Sequence, residues 1–201
     1  FGGVGSDMRP RDELWSYDVD ADTWTKHPSA GPPGRGGGRM AYDAESDRIV
    51  LFGGRGSTGQ SLSDTWILDL DAITWTQVDV EPSPPKRVFH QMAYDAATDR
   101  VVLWGGDIRP YGAWGILWTF DTNTRTWTEH DKLTEPVSAY YGRMAAGLGS
   151  RAMLLFGGGP TGSDATWRYR ADEDRWRQIE RSQGPGARSR FAMAASDEGV
   201  L

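Results

Sequence analysis

The sequence contains no cysteine. That absence removes disulfide staples, thiol nucleophiles, zinc–thiolate centres and any cysteine-derived cofactor, and it leaves the redox compartment unreadable. No apolar run approaches the ~20 residues needed to cross a bilayer, and the start shows no charged n-region ahead of an apolar h-region. Phe1 stands where an initiator Met would, which leaves an upstream leader or segment open. Basic charge is also in deficit: 22 Lys and Arg stand against 28 Asp and Glu, a formal charge of −6. That sign suits neither a phosphate backbone nor an anionic membrane surface, so no nucleic-acid and no membrane partner is expected. Amphipathic helix periodicity is missing too, and almost no helix is expected.

What the chain has in excess is 26 Gly, 11 Pro and 10 Trp among 201 residues. Gly and Pro at this level accompany disorder in other chains, but disordered chains are poor in aromatics, which here make up 11%. With 38% hydrophobic residues the chain can bury a core as one or two soluble globular domains, and its glycines read as punctuation in a packed fold.

The punctuation is periodic. Phe1-Gly2-Gly3, Phe52-Gly53-Gly54, Trp104-Gly105-Gly106 and Phe156-Gly157-Gly158 recur at spacings of 51, 52 and 52. Each is followed by a tryptophan (Trp15, Trp66, Trp118, Trp167) and, nine residues on, by a second (Trp24, Trp75, Trp127, Trp176). Met-Ala pairs recur as well, at Met40-Ala41, Met92-Ala93, Met144-Ala145 and Met193-Ala194. Four units result, at about 1–51, 52–103, 104–155 and 156–201 of one domain spanning 1–201. Within them, short β runs are expected at His90–Asp95, Arg100–Trp104, Thr65–Leu70 and Thr74–Val78, separated by turn residues. Ile49-Val50-Leu51 and Val101-Val102-Leu103 are unbroken apolar runs of strands buried on both faces.

Four-stranded units of roughly 50 residues repeated radially are the sequence form of β-propeller blades. The string Met40-Ala41-Tyr42-Asp43 through Phe52-Gly53-Gly54 to Thr74-Trp75-Thr76 closely resembles the kelch repeat, with its double glycine and spaced aromatic pair, and the resemblance covers the whole chain. It implies an all-β, kelch-type β-propeller with four four-stranded blades in this chain. Kelch-like propellers usually have six or seven blades, so three arrangements are open: part of a larger ring, completion of the ring by a second copy, or a closed four-bladed ring. The eight repeating tryptophans are expected as core, each burying roughly 150–250 Å², about 4–6 kcal/mol gross at ~25 cal/mol per Å².

In such a propeller the first strand of each blade lines the central channel, and the loops entering it form one face with those joining strands two and three. An Arg stands five residues before Met in three units, at Arg35, Arg87 and Arg188, whereas the third unit has Ala139 there with Tyr140, Tyr141 and Arg143 following. With Arg39, His90 and Arg190 these residues can ring one channel mouth and receive an acidic peptide, a carboxylate or a sugar; the alternative is that they hydrogen-bond neighbouring loops. The loop 107–115 adds Arg109, Tyr111 and the extra Trp114, residue types enriched at binding hot spots, unless Trp114 only plugs the loop. Gly54 to Gly59 fits G-x-G-x-x-G but precedes a strand and not the helix a dinucleotide site requires, and Asp18, Asp20 and Asp22 lack the Gly and Glu of a calcium loop. No Ser-His-Asp set can be assembled, and no catalytic residue, metal or cofactor is assigned. Kelch-like galactose oxidases use a Tyr-Cys crosslink, which a cysteine-free chain cannot form. The expectation is a non-catalytic interaction module presenting propeller loops to a protein partner or another domain. Its alternative is a carbohydrate- or carboxylate-binding domain or enzyme using the Arg-lined mouth.

Overall fold

The structure is a computed structural model that describes residues 1–28, 30–107, 116–130, 136, 141–146, 152–159, 162–180, 183–196 and 199–200. Among these, sixteen strands and no helix are found. Three four-stranded antiparallel sheets are complete. The first runs β3 (Arg39–Asp43), β4 (Arg48–Arg55), β5 (Ser61–Asp69) and β6 (Thr74–Val78). The second runs β7 (Gln91–Asp95), β8 (Arg100–Trp104), β9 (Leu117–Asp121) and β10 (Thr126–His130), and the third β11 (Arg143–Ala146), β12 (Met153–Phe156), β13 (Thr166–Arg170) and β14 (Arg175–Ile179). β1 (Leu14–Asp18) pairs with β2 (Thr23–His27), and β15 (Ala195–Ser196) with β16 (Gly199–Val200), as two-stranded sheets. The described residues hold the sixteen strands expected of four four-stranded blades, three of them as complete sheets and the remaining four strands as two pairs. Each blade straddles a repeat boundary, because the double glycine sits at the end of its second strand and the repeats were counted from there. The first strands β3, β7 and β11 lie side by side as an arc about the axis.

Chemistry of the turns explains why the meanders close. Tyr42, Tyr94 and Tyr169 each donate their hydroxyl to the Asp five residues on, Asp47, Asp99 and Asp174, at 2.8–2.9 Å, and Tyr17 does the same to Asp22. All four aspartates have φ near +50°, a left-handed position that short polar side chains tolerate. The Asp18 carboxylate accepts the amides of Asp20 and Ala21, so the triplet that imitates a calcium loop is a hairpin turn.

The core lies between blades. β8 turns Val101 and Leu103 toward the first blade and Val102 and Trp104 toward the third, which is why its sequence is an unbroken apolar run. The aromatic ahead of each double glycine meets the second tryptophan of the following blade: Phe1 with Trp75 at 5.2 Å, Phe52 with Trp127 at 5.4 Å, Trp104 with Trp176 at 5.1 Å between ring centroids. Trp127 also donates its indole N–H to Thr65 Oγ1 of the first blade at 2.9 Å. Trp127 and Trp176 are buried accordingly, whereas Trp15 and Trp24 on the β1–β2 pair are exposed. Thus not all eight tryptophans are core here.

The second glycine of three of the triplets makes a backbone link to the following blade. The N–H groups of Gly3, Gly54 and Gly158 donate to the carbonyls of Arg35, Arg87 and Arg188 at 2.9, 2.9 and 3.0 Å. A Cβ on Gly53 would stand 2.8 Å from the Arg87 carbonyl oxygen, and its φ of +59° is left-handed, so two constraints select glycine there. Replacing Trp127 by Ala removes the ring stack and the Thr65 bond together; guanidinium unfolding should show a loss of about 3–5 kcal/mol, and Trp24→Ala, exposed, should cost far less.

Candidate functional site: the loop face around the inner strands

The arginines that precede each first strand divide into two groups. Arg35 is 2% exposed and reaches forward to the first glycine of its own blade, donating to the Gly53 carbonyl at 3.0 Å and to Pro33 O at 3.1 Å. Its two terminal nitrogens grip Asp64 bidentately, each at 2.7 Å, and Trp66 Nε1 donates to the same carboxylate. Arg87, 1% exposed, repeats the first part, donating to Gly105 O at 3.0 Å and Pro85 O at 2.9 Å. The residue that corresponds to Asp64 is Ile116, so no carboxylate pairs with Arg87 among the described residues, and burial lowers its pKa to about 10. Arg188 is exposed and donates from Nε to Gly186 O. Arg35 and Arg87 are therefore not open binding cations, because the loop carbonyls and Asp64 already take their donors; of the two readings left open by the sequence, these two residues follow the structural one.

Arg39, Gln91 and Arg143 begin β3, β7 and β11 at equivalent positions, which places them at one end of the inner arc. Both arginines are part-exposed, each donating only to the carbonyl before it, Gly38 or Gly142. The Arg39 pKa is lowered by burial and by the charge of Arg143, and burial lowers that of Arg143. Arg143 is thus near enough for its charge to be felt at Arg39. His90, one residue before Gln91, is fully buried beside the Phe52 ring at 5.6 Å, and neither ring nitrogen has a partner. Burial and then the charges of Arg87 and Arg39 hold its pKa well below the ordinary 6.5.

A second set of equivalent positions lies three residues before each methionine of the first strands. Gly37, Phe89, Tyr141 and Arg190 all have left-handed φ, between 58° and 68°. Phe89 N–H donates to Gly37 O at 2.9 Å and Arg190 N–H to Tyr141 O at 3.0 Å. The side chains touch in series: Phe89 and Tyr141 rings are 5.3 Å apart, and the Arg190 guanidinium sits 4.6 Å from the Tyr141 ring centre. Of the residues expected at the mouth, the structure thus brings together Arg39, His90 and Arg143, and separately Tyr141 and Arg190. Arg109, Tyr111, Trp114 and Tyr140 lie outside the described residues. Phe89 and Gln91 were not singled out by sequence reasoning; their spacing from Met92 was the signal that could have found them.

With this geometry in hand, comparison with known proteins is decisive for the family. The KLHDC2/KLHL20/DRC7 Kelch-repeats domain model matches residues 1–201. The chain belongs to the Kelch-repeat family. It is 30% identical over 200 residues to Adagio protein 3 of Arabidopsis thaliana, covering 92% of this chain and 32% of that protein. It is 30% identical over 182 residues to an F-box/kelch-repeat protein of the same plant, covering 82% and 37%, and 35% identical over 88 residues to dynein regulatory complex subunit 7 of Chlamydomonas reinhardtii, covering 42% and 8%. The Kelch chain spans about a third of the length of Adagio protein 3.

The buried, unpartnered His90 gives a pH signature. Because its folded pKa lies below 6.5, the unfolded chain binds the extra proton first as pH falls through 6.5, and stability declines until the folded pKa is reached. Denaturant titrations between pH 7 and 5 should show this decline, with a slope of up to about 1.4 kcal/mol per pH unit from this group. His90→Leu should flatten it.

Proposed function

We propose that this Kelch chain is a non-catalytic binding module whose loop face takes a segment of another protein or of a neighbouring domain. One observation carries the reading. At the left-handed position before each first strand the backbone is constant while the side chain is nothing, Phe89, Tyr141 or Arg190 in turn. Constant geometry with changing chemistry is how a scaffold presents a recognition surface. Relatives named as F-box and dynein regulatory proteins support protein partners, and their greater length makes a neighbouring domain an equal candidate.

The chemistry favoured at the mouth is acidic. A carboxylate between Arg39 and Arg143 would relieve their mutual repulsion and accept from both guanidiniums, with the Gln91 amide between them. A sugar has less support, because the Tyr141 ring is already engaged by Phe89 and Arg190 and does not offer itself as a free stacking platform.

A panel of immobilised ten-residue peptides, acidic, neutral and basic in otherwise matched sequences, tests the reading. The wild-type chain should retain the acidic members, and the double variant Arg39→Glu with Arg143→Glu should lose that preference while its stability stays within about 1 kcal/mol. Equal retention of all peptides by both proteins would overturn it.

A further inference from the structure

The loops that follow the first two double glycines adopt the same turn. In Gly56-Ser57-Thr58-Gly59-Gln60, the Gly56 N–H donates to Gln60 O and the Gly59 N–H to Gly56 O, both at 3.0 Å, and Gly59 has φ +82°. In Gly5-Ser6-Asp7-Met8-Arg9, the Gly5 N–H donates to Arg9 O and the Met8 N–H to Gly5 O, again both at 3.0 Å. The left-handed position of this turn, glycine in the other loop, is here filled by Met8 at φ +61°. A corresponding turn in the third blade, closed from Gly162 N–H to Gly159 O, has glycine there too, at φ +82°. Nothing lies within 4 Å of a Cβ added to Gly59, so the backbone angle and not crowding opposes a side chain at this position. Met8 accepts that strain and gains no burial, for its residue is 81% exposed.

An exposed, strained apolar residue calls for a reason, and one lies beside it. Met8 lines a cavity of about 410 Å³ between four segments of the chain, within the range of ligand clefts. Val4 and Phe89 supply apolar walls, and Gly36 and Gly37 supply bare backbone: a Cβ on Gly36 would meet Val4 at 2.6 Å, and one on Gly37 the Phe89 ring at 2.8 Å. Arg55 completes the rim. It is exposed and forms no ion pair among the described residues, whereas nearby Arg11 is held by Asp7 and Arg35 by Asp64.

We propose that this cavity anchors an extended partner segment in which an apolar side chain of Leu, Met or Phe size lies within one or two residues of a carboxylate. The apolar side chain enters between Val4, Phe89 and the unbranched, adaptable Met8, and the carboxylate meets Arg55. The proposal rests on the binding-module reading and names a site and partner chemistry for it. The strain at Met8 is then part of recognition, since the left-handed turn is what sets the thioether over the cavity.

The test uses a fluorescein-labelled ten-residue Gly/Ser peptide carrying one Leu with a Glu two residues on. Its controls have serine for the leucine or lysine for the glutamate. With methionine methyls labelled by ¹³C, the peptide should shift the Met8 resonance, which is assigned by its loss in Met8→Gly. Both controls should bind at least tenfold more weakly. Met8→Gly should also bind the peptide at least tenfold more weakly while its melting temperature is unchanged or higher, a combination that a merely structural Met8 cannot produce. Arg55→Ala should weaken binding and reduce its salt dependence. Undiminished binding by Met8→Gly overturns the proposal, as does a peptide that perturbs other methionines and not Met8; acid preference at Arg39 and Arg143 would then survive without this site. A Met8 shift that depends on protein concentration without peptide would mean a second copy fills the cavity, and overturns it equally.

Discussion

Each aromatic-Gly-Gly triplet belongs by sequence to one blade but makes its decisive contacts with the next. At Phe1 and Phe52 the ring stacks on the second tryptophan of the following blade and the second glycine donates to the carbonyl of that blade's entry arginine; Trp104 makes the ring contact and Gly158 the backbone bond. The arginine side chain then reaches the first glycine carbonyl of its own blade, as Arg35 does to Gly53 and Arg87 to Gly105. Through Arg35 and Arg87 the link passes on by alternating backbone and guanidinium bonds, and the next unit, with Ala139 at that place, lacks the guanidinium. A four-stranded sheet on its own has two apolar faces and no way to cover them; this link fixes the distance and angle at which neighbours cover each other.

The same link sets the electrostatics of the loop face. Burying a guanidinium is costly unless its donors are satisfied, and at Arg35 the Asp64 pair does so together with two carbonyls. At Arg87 the carboxylate is missing and only carbonyls remain, so positive charge is left in the wall beside His90 and Arg39. Burial first, and then the charges of Arg87 and Arg39, keep His90 neutral, and the convergence of the first strands brings the charge of Arg143 to bear on Arg39. Arg39 and Arg143 thus place two cations at one end of the inner strands of a chain whose net charge is −6.

Much of the architecture was legible in the sequence because it repeats. Strands, turns and the kelch resemblance could be read from Phe52-Gly53-Gly54 and its three counterparts, since each landmark has a backbone reason to recur. A repeat counted from its double glycine does not coincide with a blade that begins at the strand before it, so four repeats appear as three whole sheets and two strand pairs. The site was harder to read. Arg35 and Arg87 looked alike to Arg188 by spacing, and only burial and partners separated them. Phe89 and Met8 went unnoticed because their distinguishing property is a left-handed φ, which a sequence reveals for glycine and conceals for anything else. The Tyr–Asp pairs could have been found from their common five-residue spacing, although they fall in two different turns, Tyr42–Asp47 and Tyr94–Asp99 in one and Tyr17–Asp22 and Tyr169–Asp174 in the other.

The central claim is that the triplet couples each blade to its successor, and amide hydrogen exchange at Gly54 and Gly158 measures it most directly. These N–H groups donate across blades to Arg87 and Arg188, so they should exchange only with global unfolding, as slowly as Val102 in the middle of β8. Exchange at Gly54 as fast as at Glu45 in an open hairpin turn would show that the blades stack without that link, and would contradict the account.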